Sequence, residues 1–328
     1  MNHTPEISVV IPAYNEELNM EPLFQRLDRV LSDLGRGYEV IIVNDASTDG
    51  TEAVLEKIYQ QHDCVAVVTH FLCQGKAAAL EHGFELVRGR YIVIMDADLQ
   101  QEPEDIPRLI AALDQGYDVV SGKRVNRDDA VLKRLSSRIF NMVMRRMTGL
   151  KIDDYFSGLK AFRTNVIRFL SLYGDLYRFA AVFAFKNGFK VAEIDCAHHP
   201  RHRGTSKYNS LGRLRLALRD LATVMFSVTL NRRRVYRLGV AGIVLMSAGL
   251  MVVFVLLFRV GFDLRFLGRP MGIAGLLCLF FGAQLHLLTS LADRFFSMHQ
   301  EELQYRRRNI RRVLKIRDGD PAEEASLS

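Results

Sequence analysis

Three short stretches carry most of the residues able to do chemistry in this 328-residue chain: PAYNEE at 12–17, NDASTDG at 44–50 and DADLQ at 96–100. In the last, Asp96 and Asp98 stand two apart after the apolar run 91–95, and Gln100 follows two later. That spacing offers hard oxygen ligands to Mg2+ or Mn2+. Such an ion takes one or two carboxylates and completes its shell with phosphate oxygens. An isolated Asp-x-Asp triplet also suits a helix cap. Its place at a strand end, with two further polar motifs, favours the metal. No GxGxxG or GxxxxGK[ST] loop follows the first apolar run, which argues against a Rossmann dinucleotide site and a P-loop.

The motifs need a scaffold that brings them together, and the intervening pattern supplies one. Short apolar runs at 7–11, 39–43, 65–69, 91–95 and 118–122 alternate with helical stretches at 17–34, 48–61, 75–87 and 104–115. Continuous apolar strands between helices predict an α/β domain with a mostly parallel sheet covered on both faces. Ligands bind such sheets beyond the carboxyl ends of the strands, where all three motifs fall.

The C-terminal third has a different composition. Residues 238–258 and 271–292 are uncharged runs of 21 and 22 residues, each long enough to cross a bilayer as a helix. The link at 259–270 is short, so the two are expected to form a hairpin. Basic clusters flank it: Arg232–Arg234 and Arg237 before, Arg294 and Arg306–Arg308 after. This distribution places the catalytic domain and both termini on the cytoplasmic side of a cell membrane. Residues 211–230 repeat leucine at helical spacing with arginines interleaved, as an amphipathic helix at the headgroup level would.

The formal net charge is +7, and ten Lys or Arg residues lie between Arg201 and Arg237. Beside apolar spans this charge suits an anionic membrane surface, and no nucleic-acid-binding signature accompanies it. Four cysteines without a CxxC pair predict a reduced, cytosol-facing protein. The N-terminal residues lack the pattern of a signal peptide. The expected organisation is a catalytic domain over 1–208, an amphipathic segment at 209–234, a membrane hairpin at 235–292 and a basic tail at 293–328.

VVIPAYNEE, VNDASTDGT and DADLQ, in this order, resemble the family 2 glycosyltransferases of GT-A fold. DDYFSGLKAF, PRHRGTSKYN and the two C-terminal spans extend the likeness to the dolichyl- and polyprenyl-phosphate sugar transferases. The resemblance implies inverting transfer of a hexose from a UDP- or GDP-sugar to undecaprenyl or dolichyl phosphate, and a homo-oligomer by analogy. It implies that Pro12, Tyr14, Asn15, Glu16, Asp45 and Asp96 line the nucleotide pocket, and that Asp96, Asp98 and Gln100 hold metal and diphosphate. Asp98 and Asp154 fall at its catalytic positions, with Arg124 and Arg138 as phosphate-binding arginines. Arg201, Ser206 and Lys207 would contact the acceptor phosphate.

One stretch departs from the family pattern. Where Arg-Asn-x-Gly-Lys is common, this chain has Leu72-Cys73-Gln74-Gly75-Lys76, which keeps only Lys76 as a donor contact. A phosphate acceptor is already ionised at neutral pH, so Asp154, or its neighbour Asp153, is expected to position more than to take a proton. A processive polysaccharide synthase of the same fold would carry a Gln-x-x-Arg-Trp motif, and this chain has no tryptophan. A non-catalytic nucleotide-sugar-binding membrane protein would not need Asp96, Asp98, Gln100, Arg201 and Lys207 together.

Overall fold

The computed structural model describes residues 5–125, 141–170, 174–199, 232–260, 270–307 and 310–316. Arg138, Arg201, Ser206, Lys207 and the expected amphipathic helix at 211–230 lie outside the described residues. The chain divides into two units, residues 1–218 with 306–328, and residues 219–305.

In the first unit the expected alternation is present. Strands β1 (Ile7–Ala13), β2 (Tyr38–Asn44), β3 (Val65–His70), β4 (Tyr91–Ile94) and β5 (Val119–Val125) alternate with helices α1 (Glu17–Asp33), α2 (Thr51–Gln61), α3 (Lys76–Leu86) and α4 (Ile106–Asp114). Ile7, Val9, Val40, Ile42 and Val93 are fully buried, as apolar strands between two helical layers must be. Met20, Leu23, Leu27 and Leu31 bury one face of α1 on the sheet.

Three further strands complete the sheet: β6 (Lys160–Arg163), β7 (Val191–Ala197) and β8 (Ile310–Leu314). The order is β7-β5-β6-β4-β1-β2-β3-β8. β1 pairs in parallel with both β2 and β4. β6 runs antiparallel between β4 and β5. The chain leaves β1 toward β2 and β3, then returns to β4 on the other side. The crevice beyond β1 and β4 is therefore a topological switch point, where ligands bind in open α/β sheets.

β8 differs from the expected tail. Its residues pair antiparallel with β3, Val67 opposite Leu314 and Val68 opposite Val313. Arg312 pairs with Glu56 of α2 at 3.3 Å, Arg311 pairs with Glu52, and the Tyr59 hydroxyl donates to the Lys315 carbonyl at 2.9 Å. Five residues with two adjacent arginines show no clear alternation, and the paired residues of the partner strand lie 240 or more positions away, so no local signal marked this strand.

In the second unit, helices Arg232–Val260 and Pro270–Arg307 contain two stretches, Tyr236–Arg259 and Pro270–Leu291, long and apolar enough to cross a membrane. Only 17% of each apolar window is buried, unlike a core helix of a soluble domain. Val244, Leu250, Phe254, Phe280 and Leu287 point outward. Glycines permit close approach of the pair: a Cβ on Gly242 would sit 2.9 Å from the Gly282 carbonyl oxygen, and one on Gly249 2.6 Å from that of Gly275.

β8 covers what would otherwise be an open sheet edge, a template for aggregation. Deleting residues 309–328 should lower the thermal transition by roughly 4 °C or more and increase light scattering of the detergent-solubilised protein. An unchanged transition would show that the edge strand contributes nothing.

Candidate active site

The carboxyl ends of β1, β2 and β4 open into one cleft, lined by Pro12, Ala13, Tyr14, Glu16, Asp45, Lys76, Asp96, Ala97 and Asp98. All three motifs and the N-terminus of α3 thus meet at the switch point. Of the expected nucleotide residues, Asn15 alone is absent from this lining. It has φ 58°, and its side-chain oxygen accepts from the Thr48 backbone N–H at 2.8 Å. Asn15 therefore ties the first motif loop to the second. Asp49, in that second loop, accepts from the Thr51 backbone N–H at 3.0 Å and so holds the first turn of α2.

Asp96 is the centre of the charge arrangement. One carboxylate oxygen pairs with the Lys76 ammonium; the other accepts from Gln101 Nε2 at 3.1 Å. Gln101 Oε1 in turn accepts from the Asp96 backbone N–H, also at 3.1 Å, so this amide clamps the aspartate from two sides. Burial alone would push the Asp96 pKa up. Lys76, with help from Lys160 and Arg124, outweighs burial and holds it below the usual carboxylate range. Asp98 is buried, and its Oδ1 accepts from the Gln100 backbone N–H at 3.3 Å. The Gln100 side chain donates to the His199 carbonyl at 3.2 Å.

Asp45 is 3% exposed and crowded with donors. Oδ1 meets His70 Nδ1 at 2.8 Å and the Gln74 N–H at 2.9 Å; Oδ2 accepts from the Gly75 N–H at 2.7 Å and from the Cys73 thiol at 3.3 Å. Burial favours protonation, but these hydrogen bonds, led by His70, prevail and depress its pKa. His70 Nε2 lies 2.7 Å from Nδ1 of the equally buried His82. This chain from α3 through β3 to β2 pins the 73–75 loop. There Gly75, at φ +88°, turns the backbone into α3, and Lys76 is that helix's first residue.

A second cluster flanks the first. Arg124, on β5, holds Asp154 in a two-pronged pair, Nε to Oδ2 at 2.5 Å and Nη2 to Oδ1 at 2.8 Å. Asp153 is more exposed and faces outward, toward Lys123 at 3.3 Å and Arg145. The Glu193 carboxylate accepts from both backbone N–H groups, at 2.8 Å from Asp153 and 2.7 Å from Asp154. Lys160 is buried and donates to the Ser157 carbonyl. Burial drives its pKa down to about 7, against the pull of Asp154.

Gly158 joins the two clusters. A Cβ there would lie 2.3 Å from both Asp96 Oδ2 and Gln101 Nε2. A side chain at this glycine of the DYFSG stretch would therefore have to displace the Asp96 carboxylate and the Gln101 amide. Gln101, His70, His82, Gly158 and Lys160 support these motifs from behind the cleft, and motif reading did not single them out.

In donor chemistry the site fits a divalent cation. Two carboxylates stand at one strand end, Asp96 stays ionised despite its surroundings, and it already draws a cation, Lys76, to itself.

The family model described as glycosyl transferase family 2 matches residues 8–171, half of the chain and all of the first two clusters' motifs. The chain belongs to glycosyl transferase family 2. It is 34% identical over 314 residues to the undecaprenyl-phosphate 4-deoxy-4-formamido-L-arabinose transferase of Pseudomonas paraeruginosa, covering 94% of this chain and 90% of the relative. It is 33% identical over 298 residues to the dodecaprenyl-phosphate galacturonate synthase of Rhizobium johnstonii, covering 88% and 87%. Among solved structures, the glucosyl-3-phosphoglycerate synthase of Mycobacterium tuberculosis with Mn2+, UDP-glucose and phosphoglyceric acid superposes with a TM-score of 0.52. That match has 21% identity and covers 68% of this chain and 79% of the other. The sheet is thus of GT-A type, and the protein is a glycosyltransferase.

Gly158→Ala should displace Asp96 and Gln101 and lower turnover by about tenfold or more, the usual scale for a misplaced catalytic constellation. Circular dichroism should show the fold retained. Full activity in the alanine variant would mean that the Gly158 contact does not position Asp96.

Proposed function

We propose that this glycosyltransferase moves a hexose from a UDP- or GDP-sugar to a polyprenyl phosphate at the cytoplasmic face of a membrane, inverting the anomeric centre. The observation that carries this reading is the convergence of Asp96, Asp98, Asp45 and Lys76 on one cleft at the switch point. Two relatives that match nearly the whole chain are named for polyprenyl-phosphate acceptors, undecaprenyl and dodecaprenyl. Two long, outward-facing apolar helices suit an enzyme whose acceptor is a lipid.

Pro12, Tyr14, Glu16 and Asp45, which line the cleft, are assigned to the nucleotide. Asp96 and Asp98, with Gln100 as the third ligand, would hold Mg2+ or Mn2+ on the donor diphosphate. The Mycobacterium tuberculosis synthase was solved with Mn2+ and UDP-glucose. When bound, that ion supplies a positive charge where the leaving diphosphate becomes more negative. Asp154 fixes the guanidinium plane of Arg124, so Arg124 meets a phosphate already oriented. Engaged this way, Asp154 positions rather than accepts a proton.

The acceptor phosphate falls to Arg138, Arg201, Ser206 and Lys207. Arg201 follows His199 by two residues, and the His199 N–H donates to the Gln100 carbonyl at 2.9 Å. His199 itself, the last described residue before Arg201, is thus held at the DADLQ loop. An ionised phosphate oxygen then attacks the anomeric carbon in line as the nucleoside diphosphate departs, and no general base is needed.

The test is transfer by the full-length, detergent-solubilised protein, using a panel of nucleotide sugars with undecaprenyl or dolichyl phosphate. Lipid-linked sugar should form with one donor. Asp98→Ala should lower the rate by about a hundredfold or more, and so should a chelator. Sugar release that does not depend on polyprenyl phosphate would contradict the reading.

A further inference from the structure

The Lys76 ammonium stands on the carboxylate that the donor's metal would need. It pairs with Asp96 Oδ1, while Gln101 occupies Oδ2. It is not a stray surface contact. Lys76 is the first residue of α3, and the preceding Gln74 and Gly75 are pinned by Asp45, itself backed by buried His70 and His82. The stem also carries the ammonium over the Tyr177 ring, 5.3 Å from its centroid. Backbone, side chain and ring together direct one cation onto one carboxylate.

A divalent cation and the Lys76 ammonium compete for Asp96, because like charges repel strongly in a half-buried cleft. A diphosphate arriving without metal meets Asp96 and Asp98 and is repelled in turn. When metal and diphosphate arrive together, their charges largely cancel, and a phosphate oxygen near the N-terminus of α3 would accept the displaced ammonium. A helix N-terminus adds to the attraction for anions there. Among the described residues no group of three His, Cys, Asp or Glu side chains is placed to hold a metal.

We propose that Lys76 is a built-in placeholder for the metal. It suppresses metal binding to the donor-free enzyme and moves from Asp96 to the donor diphosphate when metal and nucleotide enter together. Metal and donor binding are thereby coupled, and the enzyme does not load the ion first. This inference rests on the metal-dependent transfer proposed above.

The experiment is Mn2+ binding to full-length protein in detergent, read from the free Mn2+ electron paramagnetic resonance signal. Wild type, Lys76→Met and Lys76→Arg are each titrated alone and with saturating UDP or GDP. Wild type should bind Mn2+ weakly alone and much more tightly with one of the nucleotides. Lys76→Met should bind Mn2+ alone about tenfold tighter than wild type, the scale of one charge-assisted contact, and gain less from nucleotide. Lys76→Arg, which keeps the charge, should stay as weak as wild type. Equal Mn2+ affinity of wild type and Lys76→Met without nucleotide, with nucleotide still tightening both, would overturn the placeholder while leaving the transferase reading intact. Tight Mn2+ binding by Lys76→Arg would overturn it as well, since charge would then not be the cause. No Mn2+ binding by any variant under any condition would remove the metal-dependent function and this inference with it.

Discussion

A carboxylate at the end of a buried strand must either take up a proton or be met by positive charge and hydrogen-bond donors. Asp96 is met in this way, and much of the surrounding structure serves that end. Lys76 comes from the start of α3, Gln101 from the turn after β4, Lys160 from β6 and Arg124 from β5. Each belongs to a different segment, so charge compensation at Asp96 is also a constraint on how those segments pack. Gly158 shows how close the fit is: one added carbon would strike both Asp96 and its clamp. An apolar replacement at Asp96 would leave cations facing one another, which is why this cluster suits a site for an anionic, metal-bearing ligand.

The parallel half of the sheet was legible because both faces of its strands are covered. Buried strands read as uninterrupted apolar runs, and the polar residues between them fall at the carboxyl ends. Seven residues expected at the donor site, Pro12, Tyr14, Glu16, Asp45, Lys76, Asp96 and Asp98, do line one cleft. The rest was hidden for physical reasons. β6 is four residues long and antiparallel, and most of β7 is only half-buried, so neither yields a clean apolar run. His70 and His82 look like ordinary core positions until their rings meet across two elements. Gln100 and Gln101 are adjacent and identical in type. Only the fold shows that the first turns to His199 while the second grips Asp96.

Asp45 illustrates how one residue can belong to a binding motif and still act chiefly through its neighbours. Its oxygens accept from His70, Cys73, Gln74 and Gly75, so its direct effect is to set the loop from which Lys76 emerges. β8 connects to the same region from the other side, since Ile310 is paired opposite His70. The C-terminal residues, which by composition read as a basic tail, thus complete the sheet next to the strand that supports Asp45.

The most direct test of the account is a crystallographic structure of the full-length protein with Mn2+ and the nucleoside diphosphate of its donor. An anomalous manganese peak should appear, bounded by Asp96 and Asp98. Lys76 should have left Asp96 for a diphosphate oxygen, and Asp45 should still hold Gln74 and Gly75. A manganese peak elsewhere, or nucleotide bound while Lys76 remains on Asp96, would contradict it.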